Sequence, residues 1–113
     1  MVLYLSLKRI RGATIVGSLV FTSGFGGGTG DISSQVRASL KKIENTLAEA
    51  GSSFEHVIKA NVYLSDLEYR QQFLNPIWSE TFKDNKPSRT CVEVGLGKTD
   101  VEIEVVAVIP SHV

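Results

Sequence analysis

Residues 31–51, DISSQVRASLKKIENTLAEAG, followed after a short gap by residues 56–64, HVIKANVYL, decide the fold. In the first stretch Ile32, Val36, Leu40, Ile43, Leu47 and Ala50 recur at helical spacing and lay one apolar stripe along a helix. Asp31 is a good N-cap and Gly51 a good residue for the turn past the C-terminus. Arg37, Lys41, Lys42, Asn45 and Glu49 fall on the opposite, solvated face. In the second stretch the period drops to two, with Val57, Lys59, Asn61 and Tyr63 alternating against Ile58, Ala60, Val62 and Leu64, so the chain passes from helix to strand.

Upstream, β-branched and large apolar residues predict strands over Val2–Ile10, Ala13–Val16 and Leu19–Phe25, with Gly17-Ser18 turning the last two into a hairpin. The run Gly26-Gly27-Gly28-Thr29-Gly30 predicts a flexible loop. Downstream, Ser65-Asp66-Leu67-Glu68 has the spacing of a capping box and starts a second helix with an apolar face of Tyr69, Phe73, Ile77 and Phe82. Pro76 inside it predicts a kink or a restart. Ser88–Val94 and Val101–Ile109 read as two strands joined as a hairpin around Gly95–Asp100. The order β-β-β-α-β-α-β-β lets both helices cross one face of a single mixed sheet, an α+β architecture. The other face is left bare, and in so short a chain another copy is the expected cover.

Composition agrees with one domain over residues 1–113: hydrophobic residues make up 42% and charged residues 21%, with no low-complexity tract. Lys+Arg 12 against Asp+Glu 12 leaves no net charge, so the field that draws proteins to nucleic acid or anionic lipid is missing. The apolar run Met1–Leu7 precedes the basic Lys8, Arg9 and Arg11, the reverse of a secretory signal, and no window reaches the length of a membrane span. A single cysteine, Cys91, precludes an internal disulfide and fits a reducing compartment, so the expected location is the cytoplasm.

Several chemical motifs fail on inspection. Gly97-Lys98-Thr99 lacks the upstream glycine and the following helix of a P-loop. The Gly26–Gly30 run opens onto a helix N-terminus, a natural anion site, but lacks dinucleotide-binding spacing, and a plain loop is the better account. His56 and His112 are too few for a metal site, and no histidine near Cys91 in sequence would activate it as a nucleophile. The last two strands are more informative. Arg89, Cys91 and Glu93 share one face of theirs, while Glu102 and Glu104 lie opposite Ile103, Val105 and Ala107. The plain account is solvent exposure or a cross-strand ion pair of roughly 0.2 to 1 kcal/mol. The sharper account gives the Arg89 fork to a substrate carboxylate and a water to a glutamate. Spacing alone favours the plain one.

Longer segments add a resemblance. Phe21-Thr22-Ser23-Gly24, the helix of Gln35–Gly51 ending in Ala-Gly, Val57–Asp66, Asn75, Pro87-Ser88-Arg89-Thr90-Cys91-Val92-Glu93-Val94 and Val101-Glu102-Ile103-Glu104-Val105 together resemble the Rid family of reactive-intermediate (imine) deaminases, formerly the translation inhibitor or L-PSP endoribonuclease family. The resemblance implies a chorismate-mutase-like α+β fold and a homotrimer with sites between subunits. It implies hydrolysis of 2-imino and enamine acids to 2-keto acids and ammonia, with no metal or organic cofactor. Carried over by position, Arg89 holds the substrate carboxylate, Glu102 positions the attacking water, the backbone of Cys91 lies against the imine, and Ser23 and Gly24 form the pocket wall. Lys8-Arg9-Ile10-Arg11 stands where the family usually has Gly-Pro-Tyr-Ser, and Tyr4 is not a matched replacement. Two alternatives remain: a non-catalytic module that binds small carboxylates in the same cleft, and an RNA-cleaving translation inhibitor, which the neutral charge and the lack of a histidine pair argue against.

Overall fold

Both ends of the first helix are closed by the residues its sequence offers. In the computed structural model, which describes residues 6–111, α1 spans Ile32–Ala50. The Asp31 carboxylate accepts from the Ser34 N–H at 2.8 Å. Gly51 takes the left-handed conformation, φ 87°, and the Ser52 N–H returns to the Leu47 carbonyl at 2.8 Å. Val36, Leu40, Ile43 and Leu47 are buried as the stripe predicts, and the charged face is exposed.

The strands are β1 (Leu7–Ile10), β2 (Ala13–Val16), β3 (Leu19–Thr22), β4 (Phe25–Gly26), β5 (Val57–Leu64), β6 (Ser88–Glu93) and β7 (Val101–Val108). They form one mixed sheet in the order β1-β2-β3-β7-β5-β6, with β4 also on β7. The expected β6–β7 hairpin is absent, because β5 lies between them. β5 pairs antiparallel with β7 and parallel with β6. The reason is the crossover: a strand, a helix and a returning strand give a parallel neighbour, and that pairing takes β6 to the sheet edge. The cross-strand ion pair between β6 and β7 is excluded by the same order.

The expected strand Leu19–Phe25 is broken at Ser23-Gly24. Residues on either side still pair with β7, through Phe21 with Val106 and Phe25 with Ile103. The Val105 N–H donates to Thr22 Oγ1 at 2.9 Å. The glycine run is not the loose loop its composition suggests. Gly26 pairs with Glu102, the Gly27 N–H donates to the Val101 carbonyl at 2.9 Å, and the carbonyls of Gly26 and Gly30 accept from Lys42 Nζ and Gln35 Nε2. The helix N-terminus it opens onto is already served by Asp31.

The second helix departs from its predicted start. Ser65 caps nothing: its hydroxyl donates to Asp100 Oδ1 at 2.7 Å, and Asp66 accepts from the Glu68 N–H instead. A wide π-turn over Arg70–Leu74 leads into α2, Asn75–Phe82, so the chain restarts at Pro76 as expected. Of the expected apolar face Ile77 and Phe82 are buried and Tyr69 packs partly buried against the core, and the extra residue in that turn adds Leu74 and Trp78 to the buried set. Both helices cover one sheet face, where Val57, Ala60, Val62 and Leu64 of β5 and Val101, Ile103, Val105 and Ala107 of β7 form the core. The other face is open, with Phe21 44% and Val92 37% exposed. Residues Val2–Leu5 of the expected first strand, with Tyr4, and His112 lie outside the described residues. No described helix is long and apolar enough to cross a membrane.

Candidate active site

Strand parity sorts the five site residues expected from sequence into two groups. In the β5–β6 register Ala60 faces Arg89 and Val62 faces Cys91, and Ala60 and Val62 are fully buried beneath the helices. Arg89 and Cys91 therefore belong to the helix side of the edge strand. In the β5–β7 register Asn61 faces Glu104 and Tyr63 faces Glu102, on the opposite, open side.

Arg89 is half-buried against α2. Its Nη2 donates to Asn75 Oδ1 at 2.9 Å, and its Cζ lies 5.1 Å from the centre of the Trp78 ring, a cation–π arrangement. Asn75 holds one arm of the guanidinium and the indole supports its plane, so the other donors are presented in a fixed orientation. Burial pulls the Arg89 pKa below the ordinary arginine value; Cys91 opposes that fall and the like charge of Arg70 adds to it. Burial pushes the Cys91 thiol up, against the pull of Arg89 and Arg70, so it stays protonated and is no activated nucleophile. Cys91 packs against the core as a small apolar side chain.

On the open face Ser23 and Gly24 occupy the break in the strand beside β7. The Ser23 N–H donates to the Gly12 carbonyl at 2.8 Å, which fixes the bend. A Cβ at Gly24 would stand 2.8 Å from Glu102 Oε2, so glycine is what admits the carboxylate there. The two glutamates of β7 differ in their partners. Glu104 Oε1 accepts from the Tyr63 hydroxyl at 2.6 Å and from Asn61 Nδ2 at 3.1 Å. The hydrogen bond to Glu104, with burial and the charges of Glu104 and Glu102, holds the Tyr63 phenol above its ordinary pKa. No donor among the described residues is bonded to Glu102, whose carboxylate is left for solvent or a ligand.

Sequence reasoning passed through Asn75 without giving it a task and missed Trp78. The signal lay in the spacing of three between them, which aligns both on one helix face, but the π-turn that sets the face is not visible in the pattern. Among the described residues no group of three or more His, Cys, Asp or Glu is placed to hold a metal ion.

The family pattern described as Endoribonuclease L-PSP matches residues 7–109. Protein MMF1, mitochondrial, of Saccharomyces cerevisiae is 36% identical over 81 residues, 70% of this chain and 55% of that protein. The 3-aminoacrylate deaminase RutC of Acinetobacter baylyi is 36% identical over 85 residues, 74% of this chain and 64% of that protein. The chain thus spans between 55% and 64% of the length of these two relatives. A crystal structure of a YjgF family member from Neisseria meningitidis superposes with a TM-score of 0.84 at 29% identity, covering 96% of this chain and 98% of that one. Sequence, topology and the placement of the signature segments agree: the chain belongs to the endoribonuclease L-PSP family, the Rid family that its Pro87–Val94 and Val101–Val105 segments resemble.

Proposed function

We propose that this chain is a subunit of a homotrimeric hydrolase that converts 2-imino and enamine acids of the 2-iminopropanoate and 2-iminobutanoate type to 2-keto acids and ammonia, with no metal or organic cofactor. The observation that carries the reading is the division of the site. A carboxylate anchor, Arg89, is oriented on the helix side of the edge strand, and an unengaged carboxylate, Glu102, lies beside Gly24 on the open face. A second copy is needed to bring one group of each kind to the same small molecule. The 3-aminoacrylate deaminase among the relatives supports the reaction class.

In this mechanism Arg89 binds the substrate carboxylate through two parallel N–H donors beside the Cys91 backbone, while Ser23 and Gly24 of the adjacent copy wall the other side of the cleft. Glu102 of the adjacent copy accepts a proton from a water molecule as the water oxygen attacks C2 of the imine. That proton passes to the nitrogen. The hydroxyl proton is then carried by the same carboxylate to the nitrogen as the C–N bond breaks and the C2 carbonyl forms, so ammonia leaves and imine plus water gives keto acid plus ammonia. An enamine first takes a proton at C3 to become the imine. An imine is already electrophilic, so orientation and a held water supply most of the acceleration. The lone thiol suits a reducing compartment; the cytoplasm meets that requirement, and so does the mitochondrion named for the yeast relative.

The test is ammonia release from 2-iminopropanoate generated in situ by a serine dehydratase. Acceleration over spontaneous decay is expected. Decay at the uncatalysed rate with retained keto-acid binding would replace this reading with the non-catalytic carboxylate-binding module. Sedimentation should give three times the 12.3 kDa protomer, and a compact monomer at micromolar concentration would end the shared-site account.

A further inference from the structure

Between α2 and the start of β6 lies a pocket of about 320 Å3 lined by Asn75, Trp78, Ser79, Lys86, Pro87 and Arg89. It is small for a ligand pocket and suits a molecule of a few carbons. Two cations stand on its wall. Arg89 is fixed by Asn75 and Trp78, and the Lys86 ammonium is fixed by donating to the Lys83 carbonyl at 2.6 Å, which leaves its other protons free.

Among the described residues no carboxylate lies within ion-pairing distance of either cation. The nearby acids are occupied or turned elsewhere: Glu80 on α2 pairs with Arg37 at 3.2 Å, and Glu93 on β6 accepts from the Leu67 N–H at 3.0 Å. Asp84, the remaining acid in the connection to β6, is exposed and makes no ion pair. A monocarboxylate bound at Arg89 would neutralise one of the two cations and leave the other facing the far end of the ligand. An alkyl chain there meets an ammonium; a second carboxylate meets its counter-ion.

We propose that Lys86 forms a distal anionic subsite, so that the preferred substrates are 2-imino dicarboxylic acids of four or five carbons, with the α-carboxylate on Arg89 and the second carboxylate on Lys86. The proposal rests on the imine-hydrolysis reading for its chemistry and deepens it to a substrate class. Lys86 is exposed, so solvent and salt screen the contact and the preference is about two- to fivefold at low ionic strength.

The experiment compares two unreactive keto acids of equal length, 2-oxoglutarate and 2-oxopentanoate, which differ in a carboxylate or a methyl at the distal end. Calorimetry at low salt should show the wild-type protein binding 2-oxoglutarate about two- to fivefold more tightly, with the ratio shrinking as sodium chloride is added. In Lys86→Gln the ratio should fall toward one, and in Lys86→Glu it should invert. A wild-type ratio at or below one, a ratio indifferent to salt, or a ratio unchanged in Lys86→Gln would overturn the assignment. The wild-type salt dependence decides the matter even where a variant folds poorly. Hydrolysis of the imines of glutamate and norvaline, generated by an amino-acid oxidase, separates this proposal from the reading beneath it. Equal kcat/KM for both imines ends the distal subsite and leaves the deaminase. No hydrolysis of either, with the keto-acid ratio intact, ends the deaminase and keeps the subsite.

Discussion

Replacing Gly24 with alanine tests whether the Glu102 carboxylate is the group that holds water. The new Cβ would lie 2.8 Å from Glu102 Oε2, 3.0 Å from its Cδ and 3.3 Å from its Cγ. Gly24 is not in the left-handed region, so the backbone accepts alanine without strain. The carboxylate is the far end of a flexible side chain and must retreat by roughly half an ångström to restore ordinary contact. Such a shift costs about 0.5 to 1.5 kcal/mol in rotamer strain and leaves the fold intact. Catalysis is less tolerant: misplacing a reacting group by about 1 Å costs about 10², so half of that should slow turnover roughly tenfold. Gly27→Ala is the control. Its Cβ would lie 2.3 Å from the Gln35 carbonyl oxygen, in the backbone of α1, which cannot swing away, so overpacking should cost about 3 kcal/mol of stability. Single-turnover imine hydrolysis beside urea unfolding reads both effects. A Gly24→Ala protein with the wild-type rate, or one destabilised as much as Gly27→Ala, would refute the assignment of Glu102.

Four other substitutions have definite outcomes. Glu102→Gln should lower imine turnover by roughly 10² to 10⁴ while keto-acid binding survives; Glu104→Gln should instead cost about 1 to 3 kcal/mol in stability and let the Tyr63 phenol titrate closer to its ordinary value, read by phenolate absorbance. Arg89→Lys keeps the charge but loses the fork held by Asn75, so kcat/KM should fall steeply at unchanged unfolding midpoint; a wild-type rate would make Arg89 structural. Hydrogen bonds from Ser65 and then Gln35 lower the Asp100 pKa, so its contribution is complete above the unfolded-state value of about 4 and is lost as pH falls through the folded-state one. Asp100→Asn should therefore be less stable than wild type at neutral pH and lose less stability on acidification, measured by urea midpoints at both ends of that range.

What could be read in the chain without its structure depended on how local each determinant is. The stripe, cap and terminal glycine of α1 lie within one contiguous segment, so its boundaries were legible to the residue. Strand parity was equally local, and it placed Glu102 and Glu104 together on the face away from Ile103. Strand order was not legible. Ser88–Glu93 and Val101–Val108 are close in sequence with a plausible turn between them, and nothing in either segment states that β5 pairs with both. The second helix failed for a similar reason: Ser65 has the right neighbours for a cap, but its hydroxyl is taken by Asp100, which is distant in sequence. Composition misled in the glycine run, where Gly27 is held because α1 passes too close for any side chain.

The same distinction explains why strand parity could sort the candidate residues by face but could not say where they meet. Arg89 and Glu102 come from strands that the sheet order separates and from faces that point in opposite directions, so no rearrangement of side chains in one chain brings them together. If the site is shared, two inactive proteins must complement. Arg89→Lys chains retain Glu102, and Glu102→Gln chains retain Arg89. Unfolded together in equal amounts and refolded, they assemble at random, and each interface draws its arginine from one copy and its glutamate from another. About one site in four then carries both intact side chains, so activity should return to about a quarter of the wild-type value. Each variant refolded alone should stay inactive, and mixing without unfolding should restore activity only as fast as subunits exchange. If the co-refolded mixture contains mixed oligomers by native mass measurement and shows no recovery, the two residues do not serve one site across an interface, and the catalytic pairing of Arg89 with Glu102 is wrong.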